Sequence, residues 1–266
     1  MIETVILGSG NLSNELKKNI VGSKVYTAKN FLKKINSINN KKKINLIINS
    51  FYSAVKLKKI TSYEAFVNKS VFETAKILDL LNPKMINKII YTSSSSVYGL
   101  KNIKINLKDD NNRNIYAAFK LSTELLIKNF CEKNYISFAI CRLFNMYGGN
   151  DKFSVILKLQ TAIRRNQKII IFNNGKSIRD YIHIDDVVTV YDRLLKTKIN
   201  SALYDVGTGK GVSLIQLIKK LNFKKKNMIH QKKKVTELSR SVANNTKLIK
   251  KINKIKFKKF DDYLKN

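Results

Sequence analysis

The sequence contains a tyrosine and a lysine four positions apart, Tyr116 and Lys120, within the segment NIYAAFKLSTELLIKNF. On a helix this spacing is about one turn, so the phenol and the ammonium lie on the same face. A phenol with a pKa of about 10 is a poor base at neutral pH, but a nearby cation favours the phenolate. The pair therefore predicts a tyrosine that acts as a general base, with Lys120 lowering its pKa.

A run of serines, YTSSSSVYG at residues 91–99, precedes this pair. A hydroxyl at the end of a separate strand could hold the oxygen atom from which the tyrosine takes a proton. Because tyrosine and lysine are common on helices, their spacing alone indicates only a solvated helix face. The serine run and a glycine turn near the N-terminus favour the catalytic interpretation.

The glycine turn, GSGNLS, follows the short apolar run TVIL and precedes a helix-like stretch. Strand, glycine turn and helix in this order are the context of a dinucleotide-binding fingerprint. Gly8 allows the tight turn, and Gly10 lets backbone N–H groups approach a pyrophosphate at the helix N-terminus. We therefore predict that Gly8, Gly10, Asn11 and Leu12 bind the cofactor. Ser13 stands where the third glycine of the fingerprint would be.

Short apolar strands alternate with helical stretches along the 266 residues. The expected strands lie near residues 3–7, 24–27, 44–49, 88–93, 136–142, 169–172 and 203–206. This alternation predicts an α/β fold with a parallel sheet, which binds ligands at the carboxyl ends of its strands. Ser94 and the turn at Gly8 both fall at such ends.

Taken in order, the glycine turn, the serine strand and the Tyr116–Lys120 helix resemble the extended short-chain dehydrogenase/reductase family. This family includes the NAD-dependent epimerases and dehydratases of nucleotide sugars. The spacing to the VYG that ends the serine run assigns the family's catalytic hydroxyl to Ser94. Asn68, in NKSVFETAKILDLL, matches the family's asparagine on the helix before the serine strand.

Two further segments resemble substrate-binding motifs of the same family. CRLFNMYGG looks like the segment whose asparagine, here Asn145, faces the substrate. GKSIRDYIHIDDVV looks like the segment whose arginine, here Arg179, binds a diphosphate. The resemblance implies a nucleotide-sugar substrate, with Ser95 as a further substrate contact.

The resemblance also implies a fold and a division into domains. The expected fold is a Rossmann-type doubly wound parallel sheet with a small C-terminal substrate lobe. Residues 1–149 with 178–210 would form the NAD(P)-binding domain, and residues 150–177 with 211–266 the substrate-binding lobe. A homodimer is compatible with this family.

The cofactor side departs from the family pattern. Members commonly carry an acidic residue after the second strand, which accepts a ribose hydroxyl of NAD, but TAKN follows the strand here. Lys29 could instead attract the 2′-phosphate of NADP, or it could be one lysine among many, so NAD and NADP both stay open. Only one helix fits before the strand at 44–48, so the sheet is expected to be one strand shorter than usual. The segment Asn49-Ser50-Phe51 also departs from the family pattern.

The formal net charge is +34, from 52 Lys and Arg against 18 Asp and Glu. Such a charge could attract a polyanion such as RNA. Lysine, asparagine and isoleucine are abundant throughout the chain, however, as an AT-rich genome produces in any protein. We therefore expect no specific nucleic-acid partner.

Other site types find little support. His183 and His230 are too isolated for a metal cluster, so no metal is expected. Cys131 and Cys141 are interpreted as buried thiols. No apolar run is long enough to span a membrane, and a cytoplasmic protein without a membrane partner is expected.

The predicted reaction is the epimerisation of a nucleotide-activated sugar, with transient hydride transfer to NAD or NADP. Tyr116 would take a hydroxyl proton, Lys120 would hold the nicotinamide ribose, and Ser94 would bond the same sugar oxygen. Dehydratases of the family carry an acidic residue shortly after the active-site hydroxyl, whereas Ser95 and Ser96 occupy those positions here. Two alternatives stay open: an NADPH-dependent reductase of keto-sugar nucleotides, and a non-catalytic protein that binds RNA or a nucleotide on the same scaffold.

Overall fold

The computed structural model describes residues 2–39, 43–52, 60–102, 112–221, 223–232, 238–253 and 255–258. The chain divides into two compact units. The first unit comprises Met1–Leu143 with Val188–Tyr204, and the second comprises Phe144–Val187 with Asp205–Asn266.

Strands and helices alternate through the described residues. The strands are β1 (Glu3–Leu7), β2 (Lys24–Tyr26), β3 (Ile44–Ile48), β4 (Ile86–Ser94), β5 (Ser137–Leu143), β6 (Asn145–Tyr147), β7 (Ile169–Phe172), β8 (Ile178–His183), β9 (Ala202–Val206), β10 (Gly211–Ser213), β11 (Met228–Gln231) and β12 (Arg240–Ser241). The helices are α1 (Asn11–Asn19), α2 (Ala28–Asn39), α3 (Tyr63–Val67), α4 (Glu73–Leu80), α5 (Asn112–Lys133), α6 (Val155–Arg164), α7 (Ile184–Lys196), α8 (Leu214–Lys220) and α9 (Thr246–Ile252).

The first unit is built on a six-stranded sheet in the order β2-β1-β3-β4-β5-β9. Parallel pairing joins β1 to β2 and β3, β3 to β4, and β4 to β5. Its central strands are nearly continuous apolar runs; every residue of β3, INLII, is buried, as expected for a parallel strand covered on both faces. The predicted α/β class with a parallel sheet is confirmed.

The chain order reverses direction within this sheet. From β1 it moves outward to β2 and then returns to β3 on the other side of β1. The connection from β2 contains one helix, α2, as predicted. In open α/β sheets, ligands bind beyond the carboxyl ends of the strands at such a reversal. The glycine turn after β1 and Asn49 after β3 are therefore at the expected ligand-binding edge.

A buried lysine is an unexpected part of the first unit's core. Lys88 on β4 is only 7% exposed. Its Nζ donates hydrogen bonds to the carbonyl oxygens of Leu194, Leu195 and Thr197, at 3.3, 2.9 and 2.7 Å. These carbonyls belong to the end of α7, which has no intrahelical donors for them. The ammonium therefore caps the helix and complements its dipole.

The second unit contains short strands around β8. Strand β8 pairs in antiparallel fashion with β10 and in parallel with β12 and β6, while β7 pairs with β11 in a separate two-stranded sheet. All seven strands expected from the sequence are present, but β7 lies in this unit rather than in the six-stranded sheet. Strands β6, β8, β10, β11 and β12 were not predicted, because they carry polar residues in place of an apolar run.

The proposed division into a cofactor domain and a substrate lobe stays a prediction. The compact units group residues by packing, which does not test which ligand each group of residues binds.

Candidate active site

Helix α5 carries the tyrosine–lysine pair, and β4 delivers the serine. The Ser94 side chain lies near enough to the Tyr116 hydroxyl to lower the pKa of the phenol. The Ser94 hydroxyl also accepts hydrogen bonds from the backbone N–H of Ser96, at 3.2 Å, and from its hydroxyl, at 2.9 Å. Two of the residues that the sequence assigned to catalysis are thus brought close together.

Lys120 lies in the same neighbourhood, one turn further along α5. Its Nζ donates a 2.8 Å hydrogen bond to the carbonyl oxygen of Thr92. It also lies 4.8 Å from the ring centroid of Tyr91 and 5.9 Å from that of Tyr116. The lysine is 6% exposed, so these contacts lie in a largely water-free setting.

Burial changes the acid–base behaviour of both groups. It raises the pKa of Tyr116 to about 12, against the weaker opposite effect of the Ser94 hydrogen bond. It lowers the pKa of Lys120 to about 7, with Glu124 acting in the opposite direction. The predicted lowering of the Tyr116 pKa is therefore wrong for the ligand-free protein. Desolvation disfavours the phenolate and the ammonium alike, and it outweighs their mutual attraction.

A buried ion pair that sequence reasoning missed lies one turn beyond Lys120. Glu124 is 3% exposed and binds Arg142 through two hydrogen bonds, of 3.0 and 2.7 Å. Ser93 donates a further hydrogen bond to Glu124, and the Arg142 guanidinium stacks on the Tyr98 ring at 4.6 Å. The four-residue spacing after Lys120 was the available signal for Glu124, but nothing in the sequence pointed to Arg142 as its partner.

The glycine turn has the geometry that the fingerprint requires. Gly8 has a φ of +102°, and a Cβ there would come within 3.1 Å of the Ser50 carbonyl oxygen and 3.2 Å of the Asn49 Cβ. Its N–H donates a 2.9 Å hydrogen bond to the Tyr26 carbonyl. Gly10 is the N-cap residue that precedes α1, and it has open space where a side chain would project. The turn therefore leaves room for a ligand at the start of the helix.

The other predicted cofactor residues occupy different settings. Asn11 and Leu12 form the first turn of α1, and Leu12 is buried. Lys29 is exposed at the start of α2. Its role in choosing between NAD and NADP stays a prediction.

Two departures from the family pattern contact each other. Ser13, at the position of the third glycine, is 1% exposed, and its hydroxyl accepts a 2.7 Å hydrogen bond from the Asn49 amide. The Thr92 hydroxyl donates to Oδ1 of the Asn49 side chain, and the Thr92 and Tyr191 hydroxyls are 2.7 Å apart. A polar chain thus links the start of α1 to strands β3 and β4. Serine at position 13 is accommodated by the asparagine at position 49.

The first unit contains a cavity lined by four parts of the chain. Ten residues from the end of β3, the helical segment before β4, β4 itself and α5 line it: Asn49, Ser50, Phe51, Lys69, Ser70, Thr74, Tyr91, Tyr116, Phe119 and Lys120. The predicted Tyr116 and Lys120 are among them, whereas Asn68 is not. The polar and aromatic lining is suited to a ligand with hydroxyl or phosphate groups.

The predicted substrate residues Asn145 and Arg179 belong to the second unit. Asn145 is exposed on β6, and its amide donates a 3.0 Å hydrogen bond to the Asp180 carbonyl oxygen. Arg179 is half-buried on β8, and its Nη1 donates a 2.8 Å hydrogen bond to the Ile178 carbonyl oxygen. Ser95 is half-buried and follows β4 in the first unit.

Asp180, which follows Arg179, organises the surrounding loops. It is fully buried, and its carboxylate accepts hydrogen bonds from the N–H groups of Thr208, Gly209 and Ala243, at 2.9, 2.8 and 3.2 Å. The Thr208 hydroxyl donates another, at 2.6 Å. Gly207 packs against this carboxylate, since a Cβ there would lie 2.7 Å from Oδ2. These contacts fix the strand that carries Arg179.

Cysteine and metal chemistry have little basis in the described residues. Cys131 and Cys141 are free and buried, as predicted, and burial raises the pKa of each thiol to about 12. Within the described ranges, no group of three or more His, Cys, Asp or Glu side chains could hold a metal ion. No helix in that part of the chain is long and apolar enough to cross a membrane.

Comparisons with known proteins identify the family of the chain. Residues 23–207 match the model of the NAD dependent epimerase/dehydratase family. The chain is 27% identical over 212 residues to a dTDP-D-glucose 4,6-dehydratase from Dictyostelium discoideum, covering 70% of this chain and 46% of that protein. It is 29% identical over 167 residues to an ADP-L-glycero-D-manno-heptose-6-epimerase from Brachyspira hyodysenteriae, covering 59% and 52%. The chain thus spans about half the length of the curated relatives that it matches.

Solved structures show the same fold. MoeE5, in complex with UDP-glucuronic acid and NAD, superposes with a TM-score of 0.80 at 17% identity, covering 99% of this chain and 96% of that one. A UDP-glucuronic acid 4-epimerase from Bacillus cereus, in complex with UDP-glucuronic acid and NAD, gives a TM-score of 0.76 at 20% identity, covering 99% and 97%. The chain therefore belongs to the NAD-dependent epimerase/dehydratase family of the extended short-chain dehydrogenases/reductases.

Proposed function

We propose that this protein is an NAD(P)-dependent epimerase of a nucleotide-activated sugar. The observation that carries the proposal is that Tyr116 and Lys120 line one cavity, with the Ser94 side chain near enough to Tyr116 to lower the pKa of its phenol. Positions 95 and 96 hold serine rather than a carboxylate, so no acid follows Ser94 to protonate a departing water. This difference favours epimerisation over dehydration.

The protein residues divide the work on the sugar hydroxyl. Tyr116 takes the hydroxyl proton as general base, and the Ser94 hydroxyl holds the same oxygen. A charged Lys120 stabilises the phenolate, and its pKa of about 7 leaves a charged fraction at neutral pH. The oxidised cofactor, when bound, supplies the hydride acceptor and a positive charge that also favours the phenolate.

The cofactor is assigned to the first unit. The open space at Gly10, the positive-φ turn at Gly8 and the first turn of α1 at Asn11 and Leu12 suit a pyrophosphate. Lys120 is the candidate for the nicotinamide ribose. NAD is bound by the similar structures whose complexes include it, and NADP remains open through Lys29.

Each unit has its own candidates for substrate contacts, Ser94 and Ser95 in the first unit and Asn145 and Arg179 in the second. Arg179 presents a planar guanidinium, which can bind a diphosphate through two parallel hydrogen bonds. Asn145 adds an amide that can donate to or accept from the substrate. A nucleoside-diphosphate sugar has the groups that these side chains recognise.

A reductase of keto-sugar nucleotides is the second candidate. The specific observation in its favour is the sequence after β2, where TAK offers no acid for an adenine ribose and Lys29 is exposed. A reductase must exchange its cofactor at every turnover, so weaker adenine-side binding suits it.

Product analysis separates these reactions. The purified protein would be incubated with UDP-glucose, UDP-glucuronic acid or UDP-N-acetylglucosamine and NAD, with absorbance of the reduced nicotinamide followed and the sugars analysed. Interconversion of two epimers without net reduced cofactor is the expected result. Stoichiometric NADPH consumption with a keto-sugar would establish the reductase, and loss of a water mass would establish a dehydratase.

We further propose a homodimer formed by the helices around α5. Large apolar side chains are exposed on α5, on α3 and on the segment that follows α3: Ile115, Leu125, Leu126, Tyr63, Val67 and Phe72. Exposed apolar groups in this number on neighbouring helices are typical of an interface. Light scattering of the purified protein should give twice the chain mass of 30.6 kDa, and Leu125→Glu should halve it.

We place the protein in the cytoplasm. The two cysteines of the sequence are both unpaired in the structure, as in proteins of a reducing compartment. Fractionation of cells that express the tagged protein tests this placement.

A further inference from the structure

The helical segment before β4 contains an irregular turn. Between α3 and α4, Asn68–Phe72 forms a π-helical turn, while the flanking residues keep helical backbone angles. A π turn inserts one extra residue into a helix and frequently occurs at functional sites. Lys69 and Ser70 of this turn line the cavity, whereas Asn68, matched from sequence alone, is not among the lining residues.

The π turn is fixed against the helix that carries Tyr116. The Thr123 hydroxyl of α5 donates a 3.1 Å hydrogen bond to the Ser70 carbonyl oxygen, and Thr123 is fully buried. The Ser70 backbone is therefore held in place by α5. Its side chain lines the same cavity as Tyr116 and Lys120.

The Ser70 hydroxyl is buried, and within the described ranges no hydrogen-bond partner lies in reach of its Oγ. A buried polar group left unsatisfied costs about 1–3 kcal/mol, so native proteins rarely keep one without a reason. Lys69 adds a cation to this wall of the cavity, and Glu73, one turn further on, interacts with it. An unsatisfied hydroxyl beside an ammonium suits a ligand that carries hydroxyl and phosphate groups.

We propose that Ser70 and Lys69 form a ligand-binding wall of this cavity, which contacts the ribose and phosphate groups of the dinucleotide cofactor. The inference rests on the proposed function and assigns cofactor contacts to residues outside the glycine turn. The Ser70 hydroxyl bonds the ligand in the loaded protein, and in the ligand-free protein it is the group that the π turn leaves without a protein partner.

The test measures NAD binding by calorimetry and thermal unfolding without ligand. Ser70→Ala should weaken NAD binding about three- to tenfold, the value of one hydrogen bond, and Lys69→Gln by a similar factor. Ser70→Ala should leave the melting temperature of the ligand-free protein unchanged or raised, since it removes an unsatisfied group. A serine with a structural role would instead lower that temperature when replaced.

Two control variants isolate the cavity. Ser23 also has a buried hydroxyl without a partner among the described residues, but it is not among the residues that line the cavity. Ser23→Ala and the exposed Lys76→Gln should bind NAD like the wild type. Equal affinity for wild type and Ser70→Ala, or a lowered melting temperature with unchanged affinity, overturns the inference and leaves the proposed function intact. A wild-type protein that binds neither NAD nor NADP overturns both.

Discussion

The two units each contain a buried carboxylate, and the carboxylates are neutralised in different ways. In the first unit, Glu124 is paired with the guanidinium of Arg142 and receives a hydroxyl from Ser93. In the second unit, Asp180 is surrounded by three backbone N–H groups and the Thr208 hydroxyl. One charge is balanced by an opposite charge and the other by dipoles of the main chain.

The difference matches what each neighbourhood is proposed to do. Glu124 lies one turn from Lys120 and favours the charged lysine, so its own charge affects the acid–base groups. Asp180 instead ties together two loop segments beside Arg179, at Thr208–Gly209 and at Ala243, so it acts on position rather than protonation. We therefore expect changes in the first neighbourhood to alter turnover and its pH dependence, and changes in the second to alter ligand binding.

The largest expected effect is the loss of turnover when the Tyr116 hydroxyl is removed. Tyr116→Phe keeps the ring but removes the hydroxyl, so turnover should fall about 10²–10⁴-fold, as for a lost general base. Affinity for NAD should be unchanged. Turnover and calorimetric binding would be measured for this variant and for Tyr135→Phe, whose ring is 98% exposed and which should behave as wild type. Near-normal turnover of Tyr116→Phe would move the base to another residue.

The ion pair between Glu124 and Arg142 provides a second test, which measures the free energy of unfolding. Glu124→Gln leaves a buried guanidinium without its counter-charge, and breaking such a pair typically costs about 3–5 kcal/mol of unfolding free energy. Urea unfolding measures the loss, with Glu132→Gln as the control, because its pair with Lys128 is exposed and 3.8 Å long. Exposed pairs are worth about 0–1 kcal/mol.

Removing both partners distinguishes the two carboxylates. Combining Glu124→Gln with Arg142→Gln should recover much of the stability lost in the single variant, since no unpaired charge remains. No single second substitution should recover Asp180→Asn, because the partners of Asp180 are mostly main-chain groups. A Glu124→Gln loss that Arg142→Gln makes worse would show that the pair does not behave as a unit.

The strands of the first unit and the Tyr116–Lys120 spacing were predictable from the sequence. The hydrogen bonds between residues far apart in the sequence were not. Long apolar strands and the Tyr116–Lys120 spacing are local signals, so the sequence predicted the sheet and proposed the Tyr116–Lys120 pair as a candidate site. The contact of Ser13 with Asn49, 36 positions apart, depends on how the chain folds back. The lowered pKa of Lys120 likewise results from burial, which the spacing of two residues does not reveal. In the second unit, hydrogen bonds to the Asp180 carboxylate hold the surrounding loops. The strands there carry no long apolar run that the sequence could have revealed.

The lowered pKa of Lys120 makes the stability of the folded protein depend on pH. That pKa is about 7 in the folded protein and 10.5 ordinarily, so between these values the unfolded chain binds a proton that the folded chain does not. Stability therefore gains up to about 1.4 kcal/mol per pH unit from this group as pH rises from about 7. The raised pKa of Tyr116 opposes this only above its ordinary value of 10.0.

Urea unfolding between about pH 7 and pH 9.5 tests the contribution of Lys120. Lys120→Met should reduce the slope of stability against pH, whereas the exposed Lys76→Met should leave it as in the wild type. Identical slopes for all three proteins would mean that Lys120 keeps its ordinary pKa in the folded state.

The smallest expected effect is on ligand binding by Arg179, beside Asp180 in the second unit. Arg179→Lys keeps the charge but loses the planar fork, so affinity for a nucleotide sugar should fall about tenfold, the value of one charge-assisted hydrogen bond. NAD affinity and the pH profile of turnover should be unchanged, because no acid–base group of the first unit is altered. Titrating UDP-glucose and NAD separately into the variant measures both. Equal losses for the two ligands would contradict a division of labour between the units, and no loss for either would remove Arg179 from the substrate site.

Since Asp180 holds the strand that carries Arg179, Asp180→Asn should also weaken UDP-glucose binding. It should lower the melting temperature as well, which Arg179→Lys should not.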